Sequence, residues 1–204
     1  MHPVVLVSYP VMEQFYTLQG EGAYAGQAAY FIRLGGCDVG CVWCDVKESW
    51  DAGTHPMQTV QTLTQNALQH PGRLVVITGG EPTLHDLNPL VTALHESGFR
   101  VHLETSGTNA ITAPLDWVTL SPKKFKAPLP EALAKANELK VVVYHKSDFQ
   151  FAEVHAAQVP PGCLLYLQPE WSRRDAMTPL LIDYIQQNPQ WRLSLQTHKY
   201  IGVP

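Results

Sequence analysis

Apolar runs that each end in a polar or glycine-rich cluster recur along this chain of 204 residues. Residues 74–77 form a continuous apolar run, typical of a buried parallel strand, and Thr78-Gly79-Gly80-Glu81-Pro82 follows at once. Further strands are predicted at 28–34, 100–103, 117–120, 139–143, 164–167 and 192–195. Helices are predicted at 57–69, 87–97, 148–157 and 175–187. Strands that alternate with helices predict an α/β fold with a parallel sheet.

The polar clusters lie where the predicted strands end, so they share one rim of the sheet, where barrel enzymes build their active sites. The strands are fewer than the eight of a closed barrel, and we expect a partial, open TIM-type barrel of about six parallel strands. Residues 4–18 predict one or two further strands around Pro10. The chain shows no internal repeat, linker or low-complexity stretch, which predicts a single domain over residues 1–204.

Three of the four cysteines, Cys37, Cys41 and Cys44, are spaced C-x3-C-x2-C. This spacing lets one loop bring three thiols to one inorganic centre, and three thiols cannot all pair as disulfides. Structural zinc sites usually have four protein ligands, and the chain has no second C-x2-C pair, although His55 has a nitrogen to offer. Three thiolates on a four-iron cluster would leave one iron open for a substrate or cofactor. The spacing favours an iron–sulfur cluster, with zinc as the alternative.

The composition argues against two classes of partner. The net charge is −4 and the pI is about 6.1, so nothing electrostatic favours nucleic acid or an anionic membrane. No apolar run approaches the ~20 residues that span a bilayer, and the first residues lack the basic and apolar regions of a signal peptide. We therefore expect a cytoplasmic protein, because a reducing compartment also suits unpaired thiols.

Several polar residues admit both a structural and a functional interpretation. Glu21, between two glycines, belongs either to a tight ligand-binding loop or to a plain hairpin turn. Arg33, in an apolar strand, either lies at the sheet edge or binds a carboxylate with its forked guanidinium. Glu104 and Lys123 follow strands, where each is either solvated or faces a ligand. His198 lies near the C-terminus, where a lone histidine is more often structural or exposed than catalytic.

The cysteine spacing, with Trp43 before the last cysteine, resembles the signature of the radical S-adenosylmethionine (SAM) superfamily. Motifs from residue 15 to the end also resemble one family within it, the 7-carboxy-7-deazaguanine synthases. The other matching motifs are Phe15-Tyr16-Thr17-Leu18-Gln19-Gly20-Glu21-Gly22, Thr78-Gly79-Gly80-Glu81-Pro82, Glu104-Thr105-Ser106-Gly107, Ser121-Pro122-Lys123, Glu138-Leu139-Lys140, Gln168-Pro169 and Gln196-Thr197-His198-Lys199. The first and last of these are the most specific to the family.

The resemblance implies a reaction. In this family, SAM is cleaved reductively at a 4Fe-4S cluster to a 5′-deoxyadenosyl radical, which abstracts hydrogen from 6-carboxy-5,6,7,8-tetrahydropterin. The ring contracts and ammonia leaves, giving 7-carboxy-7-deazaguanine for queuosine and deazapurine biosynthesis. SAM is regenerated in each cycle, and Mg²⁺ assists. Because the cofactors carry the radical chemistry, no catalytic side chain is implied.

The resemblance also implies a role for each matching residue. The cluster ligands would be Cys37, Cys41 and Cys44. The contacts to SAM would be Thr78, Gly79, Gly80, Glu81, Glu104, Ser121, Lys123 and Gln168. The contacts to the pterin would be Gln19, Glu21, Arg33, His198 and the C-terminal carboxylate of Pro204. A homodimer and an electron donor such as flavodoxin are further implications.

Val46 departs from the family pattern, which usually has at this position a threonine whose hydroxyl binds Mg²⁺. Valine offers no side-chain oxygen, so we expect weakened Mg²⁺ dependence, with Asp45 among the oxygens that could still serve. Two other functions compete with the deazaguanine synthase. One is a radical SAM activase that places a glycyl radical on a partner protein, and the other is a zinc- or cluster-binding regulatory module without turnover.

Overall fold

A computed structural model of the chain describes residues 6–204, in which nine strands form one mixed sheet. The strands are β1 (Ser8–Leu18), β2 (Ala28–Leu34), β3 (Met57–Thr59), β4 (Leu74–Gly79), β5 (Arg100–Thr105), β6 (Trp117–Leu120), β7 (Glu138–Val143), β8 (Leu164–Pro169) and β9 (Trp191–Leu193). The α-helices are α1 (Val60–Leu68), α2 (Asn88–Glu96), α3 (Pro130–Leu133), α4 (Asp148–Ala156), α5 (Arg174–Gln187) and α6 (Thr197–Ile201).

The sheet has the order β3-β1-β2-β4-β5-β6-β7-β8-β9, so it is open at β3 and at β9. Strand β2 and strands β4 to β9 run parallel to one another, whereas β1 pairs antiparallel with both β2 and β3. The predicted α/β class and open parallel sheet are confirmed. The parallel array has seven strands rather than about six, and two antiparallel strands extend one edge.

The predicted helix at 57–69 is wrong at its start. Residues Met57–Thr59 pair with β1 as an edge strand, and α1 begins only at Val60. Thr59 sets this boundary because its Oγ1 accepts a hydrogen bond from the N–H of Thr62 at 3.2 Å, which caps the helix. The apolar spacing alone conceals the boundary, since Met57 fits the helical stripe as well as it fits a strand.

The strand predicted around Pro10 is one continuous strand with an irregularity. Its register against β2 shifts between Val11 and Glu13, directly after the proline. Proline has no N–H to donate to a ladder, so a position beside a register shift accommodates it. Residues 4 and 5 of this prediction lie outside the described residues.

Side chains on the strands alternate between two faces of the sheet. The outer face carries the main apolar core, to which Ile32, Ile77, Leu103 and Leu139 contribute fully buried side chains beneath the helices. The inner face begins with a small apolar cluster around Phe31 and then becomes polar.

Two loops close the inner face from opposite ends. The cysteine loop (residues 35–46) follows the carboxyl end of β2. The floor loop (residues 19–27) joins the antiparallel pair β1 and β2, so it lies where the parallel strands begin. There the N–H of Ala23 donates to Oε2 of Glu138 at 3.0 Å, and Arg100 donates to the hydroxyl of Tyr24 at 3.1 Å. Because Glu138 and Arg100 are the first residues of β7 and β5, these contacts fasten the floor loop across the sheet.

None of the helices in the described part of the chain combines the length and the apolar character that a membrane crossing requires.

Candidate active site

A cavity occupies the inner face between the cysteine loop and the floor loop. Fifteen of the sixteen residues with predicted roles line it. They are Gln19, Glu21, Arg33, Cys37, Cys41, Cys44, Thr78, Gly79, Gly80, Glu104, Ser121, Lys123, Gln168, His198 and Pro204. Residues that are 185 positions apart in the chain, from Gln19 to Pro204, therefore meet around one space. The sixteenth residue, Glu81, lies behind the wall of the cavity.

The cysteine loop carries three free thiols, and backbone hydrogen bonds fix its two ends. The N–H of Cys37 donates to the carbonyl of Trp50 at 3.1 Å, and the N–H of Cys44 donates to the carbonyl of Cys41 at 3.1 Å. Burial raises the pKa of the Cys41 thiol to about 11, and the nearby ammonium of Lys123 opposes this shift. Because only a thiolate ligates a metal, Cys41 would have to lose its proton to serve as the predicted ligand.

The two glycines after β4 pack directly against the cysteine loop. The N–H of Gly80 donates to the carbonyl of Leu34 at 3.1 Å. A Cβ on Gly80 would lie 2.3 Å from the carbonyl oxygen of Gly36 and 2.8 Å from Cβ of Cys37. Gly79 has a φ of 152°, and a Cβ there would lie 2.2 Å from the carbonyl oxygen of Leu34. Glycine is needed at both positions so that the loop after β4 can touch β2 and the cysteine loop.

Glu81 directs its side chain away from the cavity into a cluster of hydroxyl and N–H donors. Its Oε1 accepts from the hydroxyl of Thr105 at 2.6 Å and from the N–H and hydroxyl of Thr83 at 3.1 and 2.6 Å. Its Oε2 accepts from the N–H of Ser106 at 2.8 Å and also from the Ser106 hydroxyl. The carboxylate thus ties the loop after β4 to the loop after β5. Gly80 lines the cavity, whereas Glu81 does not.

Three polar side chains form a chain of hydrogen bonds across the cavity. The amide of Gln19 donates to Oε1 of Glu104 at 2.9 Å, and the hydroxyl of Thr78 donates to Oε2 of Glu104 at 3.4 Å. The other end of the Gln19 amide accepts from the N–H of Glu21 at 3.1 Å. Glu104, predicted to contact SAM, and Gln19, predicted to contact the pterin, therefore share one hydrogen bond. The two predicted subsites are contiguous.

The side chain of Lys123 lines the cavity close to the cysteine loop. Its ammonium donates to the hydroxyl of Ser121 at 2.6 Å and lies 5.5 Å from the ring centroid of Trp43. Burial lowers the pKa of Lys123, because a cation loses hydration in the cavity wall. The cavity wall beside the cysteine loop therefore combines a hydroxyl, an amine and an aromatic face.

Glu21 forms a buried ion pair with Lys140. Burial alone would raise the pKa of Glu21, but the charge and the hydrogen bond of Lys140 lower it below its usual value. The Lys140 ammonium is in turn favoured by the carboxyl groups of Glu104, Glu21 and Glu138, which raise its pKa against the effect of burial. Glu21 consequently presents a carboxylate, an acceptor of hydrogen bonds, to the cavity.

Arg33 bonds to Glu13 on the neighbouring strand. Its Nε lies 2.6 Å from Oε1 of Glu13, and its side chain is 19% exposed. This bond uses one of five guanidinium N–H groups, so the terminal nitrogens stay available to a carboxylate in the cavity. Arg33 therefore forms an ion pair with the neighbouring strand and also lines the cavity. Both interpretations from the sequence, a residue at the sheet edge and a residue that faces a ligand, remain compatible with this position.

The C-terminal segment reaches the floor loop from the opposite end of the chain. The N–H and hydroxyl of Thr197 donate to the carbonyl of Gly20 at 2.9 and 2.8 Å. A Cβ on Gly20 would lie 2.0 Å from Nδ1 of His198, so the ring packs against a bare glycine. Burial lowers the pKa of His198, with Glu21 opposing the shift, which keeps the imidazole neutral near pH 7. Pro204, the last residue, lines the same cavity.

Gln168 is fixed by a relay that also reaches the floor loop. The hydroxyl of Ser194 donates to Oε1 of Gln168 at 2.7 Å and accepts the N–H of Gly22 at 3.0 Å. Gln168 is buried and lines the cavity, and this bond leaves both hydrogens of its amide unused.

Asp45 and Val46 line the cavity just after the last cysteine. Oδ2 of Asp45 lies 2.7 Å from the ammonium of Lys199, and this contact lowers the pKa of Asp45 despite burial. The carboxylate is ionised, as a metal ligand must be, but it already has a cationic partner. Within residues 6–204, no three His, Cys, Asp or Glu side chains converge closely enough to hold one metal ion. A four-iron cluster has no such requirement, since its thiolates bind different irons.

Lys140 is the main cavity residue for which no role was predicted. A lysine inside the apolar run 139–143 was the available signal, because lysine is almost never buried unless it is paired. Trp171 and Gln196 also line the cavity without a predicted role. Trp171 begins a three-residue 3-10 helix and Gln196 directly precedes α6, so neither lies in an element long enough for periodicity to distinguish an inward side chain from an outward one.

The chain matches a family model described as the radical SAM superfamily over residues 31–141, more than half of its length. Curated relatives named 7-carboxy-7-deazaguanine synthase match nearly all of it. The protein of Synechocystis sp. (strain ATCC 27184 / PCC 6803 / Kazusa) is 54% identical, with 98% of this chain and 96% of the relative covered. The protein of Flavobacterium psychrophilum is 52% identical, with 96% and 92% covered.

A solved structure extends the similarity to three dimensions. The crystal structure of QueE from Escherichia coli matches with a TM-score of 0.85 and 37% identity, over 94% of this chain and 95% of that chain. The radical SAM superfamily implies a 4Fe-4S cluster and SAM, and the three free thiols beside a bare-glycine loop fit that pair of groups. On this sequence and structural similarity, the chain belongs to the 7-carboxy-7-deazaguanine synthase family of radical SAM enzymes.

Proposed function

We propose that the chain converts 6-carboxy-5,6,7,8-tetrahydropterin into 7-carboxy-7-deazaguanine with loss of ammonia, as a step of queuosine or deazapurine biosynthesis. One observation carries the proposal. A single cavity is lined both by the three cysteines and by donors and acceptors that suit a small carboxylated heterocycle. The cluster and SAM supply the radical chemistry when they are bound. The side chains of the protein bind and orient the ligands and shield them.

The cluster end would use Cys37, Cys41 and Cys44 as ligands. The backbone of Gly79 and Gly80, which touches the cysteine loop, suits close approach of SAM to the main chain. Thr78, Glu104, Ser121, Lys123 and Gln168 supply hydroxyl, carboxylate, amine and amide groups around the same space. We propose that Glu81 acts indirectly, because its carboxylate holds two of these loops together.

The pterin would be held by Arg33, at the carboxyl end of β2, and by the floor loop. The free guanidinium nitrogens of Arg33 suit the pterin carboxylate. Glu21, ionised by its lysine partner, suits the amidine-like N–H edge of the pterin ring. Gln19, neutral His198 and Pro204 complete the set of residues that would contact the pterin.

Anaerobic reconstitution tests the proposal. The purified protein should be brown with about four irons per chain, and Cys41→Ala should remove the cluster. Incubation with reductant, SAM and 6-carboxytetrahydropterin should yield 7-carboxy-7-deazaguanine by mass spectrometry, with SAM not consumed. A loaded protein that cleaves SAM but yields no deazaguanine would overturn the proposed substrate.

The closed floor argues against a glycyl-radical activase. Such an enzyme must admit a polypeptide, whereas the floor loop is bonded to β7 through Ala23 and to the segment after β9 through Gly22. A regulatory module without turnover predicts a protein that binds zinc, or a cluster with no affinity for SAM. The same reconstitution distinguishes this alternative.

We propose weakened Mg²⁺ dependence, because Val46 lines the cavity without an oxygen and Asp45 is paired with Lys199. Turnover in metal-free buffer should then stay above about half of its value with Mg²⁺. Collapse of turnover that Mg²⁺ restores stoichiometrically would contradict this. We further propose that residues 1–204 act as one domain in a homodimer, reduced by a carrier such as flavodoxin in the cytoplasm, where unpaired thiols persist.

A further inference from the structure

An ammonium on the inner face above the floor loop contacts one carboxyl group and lies near two more. Lys140 on β7 is paired with Glu21, and its side chain is only 6% exposed. Glu104 on β5 and Glu138 on β7 act on the same ammonium. A buried ion pair contributes little to stability, because desolvation offsets its attraction. Such a cluster in a cavity wall therefore points to a role in the site.

Each carboxyl group in this cluster has a different set of partners. Both oxygens of Glu104 accept hydrogen bonds, from Gln19 and Thr78. Oε2 of Glu138 accepts the N–H of Ala23, while its Oε1 is buried without a partner among the described residues. Glu21 bonds through Oε2 to Lys140. Lys140 thus contacts Glu21, the member that the floor loop carries, and acts on Glu104 and Glu138 only through its charge.

The strand and the floor loop are joined twice at this point. Glu138 holds the backbone at Ala23, and two residues along β7 the ammonium of Lys140 holds the side chain of Glu21. Side chains two apart on a strand share a face, so both contacts rise from one rigid element. The pair fixes where the floor loop lies and which way its carboxylate points.

We propose that Lys140 is a positioning residue for the heterocycle, acting through Glu21. Its buried ammonium holds the Glu21 carboxylate in one orientation on the cavity floor and balances the carboxyl groups gathered there. Glu138 supports this by fixing the loop backbone. The inference rests on the proposed function, since it assigns to Glu21 the acceptor role toward the N–H edge of the pterin.

Substitution of Lys140 by methionine tests the proposal on the reconstituted holoenzyme. Methionine keeps an unbranched side chain and removes the charge. The Kd of 6-carboxytetrahydropterin with SAM present and no reductant should rise about 100-fold, as expected when one partner of a buried charge pair is removed. The Kd of SAM and the iron content should change less than about 2-fold. Lys135→Met is the matched control, because that lysine bonds to the carbonyl of Ile111 outside the cavity and should leave both constants unchanged.

The Kd of the pterin, measured as a function of pH, distinguishes positioning from a merely structural effect. The charged and titratable groups around Glu21 are Lys140 and Glu138 on β7, Glu104 on β5, Lys123 after β6 and His198 on α6. In the native protein Lys140 keeps Glu21 ionised, so substrate affinity should be flat from about pH 8 to pH 6. In Lys140→Met the affinity should fall as pH decreases over this range. A loss that is equal at every pH would contradict the proposal.

A double variant keeps the proposal testable even when Lys140→Met alone folds poorly. In the background of Glu21→Gln, adding Lys140→Met should change the substrate Kd less than about 3-fold, since the carboxylate to be positioned is gone. A further large loss would show that Lys140 contacts the substrate by itself and would overturn the inference. Native protein that fails to convert the pterin would sink the proposed function instead. Native protein that converts it, with unchanged affinity in Lys140→Met, would sink this inference alone.

Discussion

The two faces of β7 are both buried, but they are built from opposite chemistry. Leu139, Val141 and Val143 face outward and pack into the main core beneath the helices. Glu138 and Lys140 alternate with them, face inward and are 2% and 5% exposed. Burial alone therefore does not distinguish core from site in this chain. The distinction lies in the free energy of burial. Apolar groups are stabilised by leaving water, whereas polar and charged groups are buried at a cost unless a partner compensates.

The contrast extends across the parallel strands. Outward side chains are apolar from β2 to β8, whereas inward ones change from apolar near Phe31 to charged at β5 and β7. The outer face stabilises the fold by removing apolar area from water. The inner face carries buried charge at a free-energy cost, which the fold accommodates so that a ligand meets prepared donors and acceptors.

The largest expected effect lies where the inner face meets the cysteine loop. Gly80→Ala should abolish cluster binding, because the new Cβ would lie 2.3 Å from the carbonyl oxygen of Gly36 and displace the backbone next to Cys37. Iron content and the visible spectrum after reconstitution measure this. Gly98→Ala is the control, since Gly98 also has a positive φ of 80° but open space around it, and it should keep the cluster. Four irons in Gly80→Ala would contradict the expected clash.

A matched pair on β7 tests the comparison of faces directly. Leu139→Ala, on the outer face, should lower the free energy of unfolding by about 2–5 kcal/mol, because it leaves a cavity in a packed core. It should leave the pterin Kd unchanged. Val142→Ala, on the cavity wall, should cost only about 1 kcal/mol of stability but weaken ligand binding. Urea unfolding and calorimetric titration measure the two quantities, and equal stability losses would blur the distinction between the faces.

His102, on the inner face, makes the stability of the fold depend on pH. Burial lowers the pKa of this histidine to about 4, against an ordinary value of 6.5. The unfolded chain therefore binds a proton at a higher pH than the folded chain does, so stability is lost as pH falls from about 6.5 towards 4. Between pH 7 and pH 5 the native protein should lose about 2 kcal/mol more than His102→Phe does, which urea unfolding at both pH values measures. Parallel losses in both proteins would exclude the contribution of His102.

The smallest effect is expected at the rim, where an ion pair is exposed to solvent. Asp45 and Lys199 have side chains that are 57% and 23% exposed. Lys199→Met should change the unfolding free energy by less than about 1 kcal/mol, and added salt should reduce that difference further. A thermal melt at low and high salt measures it. A loss as large as that in Leu139→Ala would mean that this pair fastens the C-terminal segment over the cavity.

Much of the fold was predictable because it depends on local patterns. The apolar runs and helical stripes gave the α/β class, and the tandem glycines at 79–80 were expected at the end of a buried strand. Those glycines are where the structure needs them, since any Cβ would strike the neighbouring loop. The start of α1 was not predictable from apolar spacing, because a threonine side chain, rather than hydrophobicity, ends the edge strand and begins the helix.

Three closely spaced thiols, polar residues at the strand ends and a set of family motifs were all readable in the order of the residues. The turn of Glu81 away from the cavity and the contact of Lys140 with Glu21 appear only in the folded chain. The latter two residues are 119 positions apart, and their contact depends on strand order and on where the floor loop crosses the sheet. Local spacing encodes which face a side chain takes, whereas sheet order decides what it meets there.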